Sequence, residues 1–256
     1  MNKIKNMIII ILSVAVLGLS CYLIYDKALS KKDNNNPPET KETEDEVKKI
    51  LLNTIKTYKL DGLYNEESDT KFTDVPTNGQ LYLAYSYNVA VQNNGEYGEN
   101  MDTTVNKNKM DEYFKLVYGI TPTKYKNIIC MVDNEALVYY KEMSNNFVHN
   151  DNHPGHGYYG AGYMDAYITD YKQENNKYVI SLLFMDANLM DGYTVNGEID
   201  TNFDNNYGNL IDENNEEKII EYFRNHIDNY KNISRYQYTF TKEEGNYYLT
   251  SFKIVK

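Results

Sequence analysis

An apolar segment near the amino terminus constrains this chain more than any other feature. Residues 7–25 carry no charge, and Lys3 and Lys5 lie just before them. A helix of these 19 residues, rising about 1.5 Å per residue, would span about 28 Å, close to the hydrocarbon thickness of a bilayer. The sequence therefore predicts a transmembrane helix within residues 1–26, with the membrane as a partner through residues 7–25.

Three interpretations of this segment are open. An uncleaved signal anchor agrees with Lys3 and Lys5, because basic residues favour the cytoplasmic side of a membrane. A lipoprotein signal is the second, since the small Ser20 precedes Cys21 and would make Cys21 the lipidation site. A cleaved signal peptide is the third, although a small-x-small cleavage site is missing. We expect a single-pass protein of the cell membrane with the bulk of its chain extracytoplasmic.

The remaining chain divides into a tether and a globular region. Residues 27–41 are polar and contain a run of asparagines and two prolines, which is typical of an extended linker. Residues 42–256 are expected to form the extracytoplasmic globular region. The polar, glycine-containing stretch at 93–106 leaves open a division of this region into two subdomains.

Composition indicates which cellular compartment and which classes of partner to expect. The formal net charge is −11, from 26 basic and 37 acidic residues, so the surface repels phosphate backbones and a nucleic-acid partner is not expected. The 27 tyrosines and the abundant Asn, Lys and Ile are typical of AT-rich coding and indicate a low-GC Gram-positive bacterium. Cys130 is the single cysteine after the apolar segment, and an exported domain without a disulfide fits that cell envelope.

Hydrophobic periodicity predicts helices first and strands later. A capping box at residues 43–46 opens a helix that ends by Asp61, and a second helix is predicted at 107–118 with Gly119 as its stop. Residues 80–92 fit a long strand or a helix, and 121–129 fit a short helical turn. Later strands are predicted at 135–141, 165–173, 177–185, 235–242 and 246–254. One helix is predicted between them, at 214–230.

This outline predicts an α+β fold in which helices pack on an antiparallel meander sheet. The stretch EYFKLVYGITPTKYKNI and the closing EEGNYYLTSFKIVK resemble the bacterial DL-endopeptidase inhibitor family, and also the wider cystatin-like and nuclear-transport-factor-like α+β domains. The resemblance covers residues 107–256 and implies a role in blocking cell-wall hydrolases at the outer membrane face. A histidine-rich loop and an inserted acidic helix depart from the family pattern, and no functional residue is carried over.

The histidine-rich loop is a candidate metal site. His149, His153 and His156 lie within eight residues, and Asp151 adds a carboxylate. Imidazole and carboxylate groups bind Zn, Cu or Ni. The alternative is a flexible polar loop, because prolines and glycines replace the helix that would aim two histidines from one face.

A second candidate site is acidic. Asp200, Asn202 and Asp204 place oxygen atoms at alternating positions, as a calcium loop begins. However, Asn205 stands where the sharp turn requires glycine, and Ile211 stands where the bidentate glutamate belongs. The alternative is a solvated acidic loop.

These observations favour a membrane-anchored extracytoplasmic binding or inhibitory module without enzymatic activity. An envelope protein or a cell-wall hydrolase would be its partner. The alternative is a metal-binding protein or metal-dependent hydrolase that uses the loop of His149, His153 and His156. Cys130 with a histidine imitates a thiol hydrolase, but its apolar setting favours a buried, inert thiol. No cofactor is expected unless Zn or Ca occupies one of the two candidate sites.

Overall fold

The computed structural model describes residues 42–65, 70–95, 101–130, 133–153, 164–188, 192–212 and 215–256. Residues 44–256 form one compact unit. The predicted membrane anchor, Cys21 and the tether lie outside the described residues, as does His156. Within the described ranges, none of the helices combines the length and the apolar character needed to cross a membrane.

The fold is α+β, as predicted. The α-helices of the described residues are α1 (Glu44–Thr57), α2 (Asn78–Gln92), α3 (Lys107–Tyr118), α4 (Thr201–Tyr207), α5 (Asn209–Asp212) and α6 (Glu216–Asn225). Short 3₁₀ helices span Leu60–Asn65, Glu142–Ser144 and Ile227–Tyr230. The strands are β1 (Thr70–Lys71), β2 (Thr104–Asn106), β3 (Ile128–Ile129), β4 (Ala136–Lys141), β5 (Asn146–His149), β6 (Asp165–Glu174), β7 (Lys177–Asn188), β8 (Gly192–Val195), β9 (Glu198–Ile199), β10 (Arg235–Glu243) and β11 (Asn246–Val255).

The strands form two antiparallel sheets. In the larger sheet the order is β1-β11-β10-β7-β8-β9, with β6 also paired to β7. The smaller sheet has the order β2-β5-β4-β3. The β6–β7 and β10–β11 hairpins were predicted, and they turn at Asn175 and at Glu244-Gly245, where φ is positive. The short strands β2, β5, β8 and β9 were not predicted.

Helix α2 settles the open choice at residues 80–92 in favour of a helix. Its N-cap is Thr77, whose side chain accepts a hydrogen bond from the N–H of Gln80 (3.1 Å), while Gln80 Oε1 accepts one from the N–H of Thr77 (3.0 Å). This reciprocal pair satisfies two helix donors that otherwise have no partner. Buried residues lie on several faces of the helix, so its sequence lacks the one-sided apolar stripe that identifies a surface helix.

Three other predictions differ from the structure. Residues 121–129 contain no helical turn, and their last residues form β3 against β4 instead. The helix predicted at 214–230 is divided at His226 into α6 and a 3₁₀ helix. The stretch after Asp200 is the helix α4 rather than an irregular loop, because the Asp200 side chain caps it.

Strand β7 separates two hydrophobic cores. Successive side chains of a strand point to opposite faces, so Ile180, Leu182 and Phe184 enter one core while Leu183 and Met185 enter the other. The first, the main core, lies among α1, α2, α3 and both sheets. The second, the small core, consists of Leu183, Met185, Tyr193, Val195, Phe203, Ile211, Ile219, Phe223 and Tyr230.

Candidate metal centre

Three side chains of metal-binding type converge at one end of the smaller sheet. Cys130, Asp133 and His153 each offer one ligand atom, and these atoms all lie within 4.8 Å of one another. The Nε2 atom of His153 lies 3.1 Å from Oδ2 of Asp133. Cys130 and His153 are buried, whereas 30% of the Asp133 side chain is exposed. The group therefore faces solvent on its carboxylate side.

Hydrogen bonds just after β3 position the thiol and the carboxylate. The N–H of Cys130 donates to the carbonyl of Glu135 (2.8 Å), and the N–H of Asn134 donates to the carbonyl of Cys130 (3.0 Å). Asn134 takes a left-handed conformation, with φ of 61°, which asparagine tolerates better than most residues. Asp133 Oδ1 accepts the N–H of Glu135 (3.0 Å), so the carboxylate folds back over its own turn.

The Asn78 side chain fixes the strand residue before the thiol. Its Nδ2 donates to the carbonyl of Ile129, and its Oδ1 accepts the N–H of Ile129, both at 2.8 Å. Asn78 lies at the start of α2, and its amide exchanges the pair of hydrogen bonds that a neighbouring strand would make. Cys130 therefore follows a residue whose backbone N–H and carbonyl are both held by one side chain.

The histidine reaches the group from the other edge of β4. After β5 ends, the N–H of Asn150 donates to the carbonyl of Leu137 (3.0 Å), and its Nδ2 donates to the carbonyl of Ala136 (2.8 Å). The carbonyl of Asn150 accepts the N–H of His153 (2.9 Å). This turn brings His153 back towards Asp133.

Asp133 is the shared contact of the other two groups. Its pKa lies below the ordinary value, chiefly because its oxygen accepts the backbone N–H of Glu135. The contacts with His153 and Cys130 act in the same direction, and burial acts against them. The carboxylate is therefore ionised at neutral pH.

This arrangement does not suit a thiol hydrolase. Such an enzyme needs the imidazole between thiol and carboxylate, so that the imidazole takes the thiol proton. Here the carboxylate contacts both Cys130 and His153, and Cys130 is only 4% exposed. Three convergent ligands of different chemistry instead fit a metal ion.

Of the predicted loop residues that the structure describes, only His153 belongs to the convergent group. His149 ends β5, and its Nδ1 lies 3.5 Å from Oδ1 of Asp151, whose side chain is 93% exposed. Neither residue belongs to the convergent group, which takes only His153 from the predicted set and adds Cys130 and Asp133. Since His156 is outside the described residues, the four-residue loop site stays a prediction. The sequence signal for the observed group is only a C-x-x-D pair with a distant histidine.

The acidic candidate residues are bonded within the protein. Asp200 Oδ1 accepts the N–H groups of Asn202 (3.0 Å) and Phe203 (3.3 Å), and its Oδ2 accepts the hydroxyl of Tyr230 (2.8 Å). Asp204 Oδ1 accepts the N–H of Tyr193 (3.1 Å). The calcium prediction for Asp200, Asn202 and Asp204 stays a prediction, and the observed role of the two carboxylates is to hold the small core.

Comparisons of this chain with family models, with curated proteins and with solved structures found no match. The resemblance of residues 107–256 to the bacterial DL-endopeptidase inhibitor family therefore stays a prediction. Support for a function comes from the chemistry of the described side chains.

Proposed function

We propose that this chain is a zinc-binding module of the cell envelope, with Cys130, Asp133 and His153 as three of the metal ligands. The observation that carries the proposal is their convergence, with all three ligand atoms within 4.8 Å of one another. In a tetrahedral zinc site, bonds of 2.0–2.3 Å place ligand atoms about 3.3–3.8 Å apart. The three ligand atoms therefore lie within about 1.5 Å of that spacing before any metal binds.

The donor set favours zinc over the hard cations. Thiolate and imidazole are soft or borderline ligands that suit Zn²⁺, whereas Ca²⁺ and Mg²⁺ take oxygen ligands. A thiolate and a carboxylate together cancel the double positive charge of the ion. Cys130 and His153 are buried, and neutrality matters there because an uncompensated charge is costly to bury.

The same neutrality supports a binding role rather than hydrolysis. A catalytic zinc ion lowers the pKa of a bound water because its positive charge stabilises hydroxide. Two anionic ligands, Cys130 and Asp133, weaken that attraction compared with three neutral histidines. A fourth ligand would have to approach on the side where Asp133 is exposed.

The envelope location in this proposal rests on the apolar residues 7–25, which supply a membrane anchor. With the amino terminus inside, the centre would face the extracytoplasmic side. Cys130 has no disulfide partner among the described residues, so its sulfur is available as a metal ligand.

Metal analysis of the full-length chain, purified in detergent and stripped with EDTA, tests the centre. We expect one zinc ion per chain after dialysis, and a thiolate-to-metal charge-transfer band when Co²⁺ replaces zinc. The variants C130S, D133N and H153A should lose or weaken the ion. H149A and H156A are the matched histidine controls and should keep it.

Two outcomes would contradict the proposal. The first is that the wild-type chain takes up no zinc, and the second is that C130S binds zinc with wild-type affinity. Loss of zinc in H149A and H156A with retention in C130S would move the site to the predicted loop.

A contact role in the envelope is a second proposal. Met143, in the 3₁₀ turn between β4 and β5, is fully exposed, as single apolar side chains commonly are, so it serves as a probe of contact rather than as evidence for it. If the full-length chain retains an envelope protein in a pull-down, M143S should reduce that retention. The proposal fails if no envelope protein or wall hydrolase is retained.

A further inference from the structure

We infer that Asn150 and Asn78 are positioning residues that hold His153 and Cys130 in ligand geometry before a metal binds. This inference rests on the proposed zinc-binding function and adds a property to it. The site would be pre-formed, so that zinc enters and leaves without refolding of the chain around it.

Asn150 ends the pairing of β5 with β4. His149 still pairs with Val138, and the N–H of Asn150 continues this ladder to the carbonyl of Leu137. The side-chain Nδ2 of Asn150 then extends it by one more bond, to the carbonyl of Ala136. A side chain thus substitutes for the backbone at the point where the chain leaves the strand.

The same residue sets the turn that carries the histidine. Asn150 Oδ1 accepts the N–H of Asn152 (3.3 Å), and its carbonyl accepts the N–H of His153 (2.9 Å). Asn150 is 9% exposed, so its amide is shielded from competing water. Without this amide the turn would lose its attachment to β4, and His153 would have to be ordered when the metal binds. That ordering cost would appear as weaker zinc binding.

Asn78 does the equivalent work on the opposite edge. β3 pairs with β4 through Ile129 and Ala136, and Asn78 bonds both backbone groups of Ile129 on its other side. The residue that follows is Cys130. The two asparagines therefore hold, by hydrogen bonds, the segments that carry the thiol and the imidazole, and β4 lies between those segments.

A purely structural role would lower stability without a specific effect on zinc, and Asn196 provides the matched control. Its Oδ1 accepts the N–H of Phe184 (2.7 Å), and its Nδ2 donates to the carbonyl of Ser234 (2.6 Å). It is also an asparagine amide that ties backbone segments together, but its partners Phe184, Leu182 and Ser234 lie outside the metal group.

The experiment measures the zinc dissociation constant of the full-length chain in detergent, by competition with a chromophoric chelator, and the Co²⁺ spectrum. We expect N150A, N150D and N78A to weaken zinc binding about 10- to 100-fold, the range found when groups that orient metal ligands are removed. N150D keeps the size of the side chain but loses the donor to Ala136. N196A should lower the melting temperature and leave zinc binding within about threefold of wild type.

Each result has a separate meaning. Wild-type zinc affinity in N150D and N78A, with zinc lost in C130S, would overturn the positioning role and leave the proposed function intact. Equal weakening in N196A would also overturn it, because the effect would then be general destabilisation. No zinc in the wild-type chain would end both proposals. If N150A does not fold, N150D and N78A decide.

Discussion

Two carboxylates, one beside each core, have different kinds of partner. Asp200, beside the small core, accepts backbone N–H groups at the start of α4 and the phenol of Tyr230. Asp133, beside the main core, accepts one backbone N–H and contacts a thiol and an imidazole. The partners of Asp200 keep their protons at neutral pH, and Tyr230 does so more firmly because burial and its neighbours raise its pKa.

The difference separates a structural carboxylate from one that suits a metal. Amide and phenol groups keep their protons at neutral pH, so the hydrogen bonds to Asp200 persist and these groups do not become metal ligands. A thiol and an imidazole can each lose a proton and then bind the same ion as the carboxylate. An acidic residue is therefore informative about metal binding only when its partners are known.

The largest expected effect is the loss of the Asp200 cap. D200A removes the N-cap of α4 and the charged acceptor of the Tyr230 hydroxyl, which keeps only the longer contact with the Tyr193 hydroxyl (3.3 Å). These losses should lower the free energy of unfolding by about 2–4 kcal/mol. Urea unfolding of the full-length chain measures it, with the exposed Asp228 as the D228A control. Zinc affinity should not change, and a parallel loss of zinc would show that the two regions are coupled.

Zinc itself should stabilise the chain by a comparable amount. At 100 times the dissociation constant, a ligand that binds only the folded state adds about 2.7 kcal/mol. A thermal melt with EDTA and then with zinc should show this gain in the wild-type chain and in D200A. C130S and H153A should lose the gain. An equal rise in C130S would mean that zinc binds elsewhere.

Local signals account for the parts of the fold that the sequence predicted. Helix α3 has the predicted bounds because Asn106 caps its start and Gly119, with φ of 67°, ends it. A side chain at Gly119 would also meet the Tyr248 ring at 2.9 Å. By contrast, α2 was ambiguous because its apolar residues face several sides, and β2 and β9 were missed because such short strands depend on their partners.

The metal group could not be predicted because sheet register creates it. Cys130 follows β3 and His153 follows β5, and only their common neighbour β4 brings them together. The sequence grouped His149 with His153 by proximity along the chain. Yet His149 lies in the strand ladder opposite Val138, whereas His153 lies in the turn beyond it.

A third carboxylate sharpens the comparison because burial, rather than a donor, dominates its titration. Asp61, in the Leu60–Asn65 helix, is 8% exposed, and burial first, then the charge of Asp186, raises its pKa to about 6. Its own backbone N–H and Lys59 act in the opposite direction. The folded chain therefore binds this proton more tightly than the unfolded chain does.

The stability contributed by this carboxyl should fall as the pH rises from its ordinary pKa of 3.8 to about 6. D61N removes the buried charge, so it should raise the free energy of unfolding at neutral pH by up to about 3 kcal/mol, at about 1.4 kcal/mol per pKa unit, and give no gain in acid below the ordinary pKa. Urea unfolding at both pH values measures this. D74N, at the exposed Asp74, serves as the control. A loss of stability in D61N at neutral pH would show that the charge is needed.

The smallest expected effect concerns the ion pair that joins α6 to β6. Arg224 donates two hydrogen bonds to Asp165, at 2.7 and 3.1 Å, but 63% of the arginine side chain is exposed. Water and salt screen such a pair, so R224A should cost about 0.5 kcal/mol, and the cost should shrink in high salt. Urea unfolding at low and high salt measures it, with the exposed Lys109–Glu112 pair as the control through K109A. A cost above about 2 kcal/mol that salt does not reduce would show that the aliphatic part of Arg224 packs on the small core. The contrast between the two regions would then depend on packing as well as on the partners of their carboxylates.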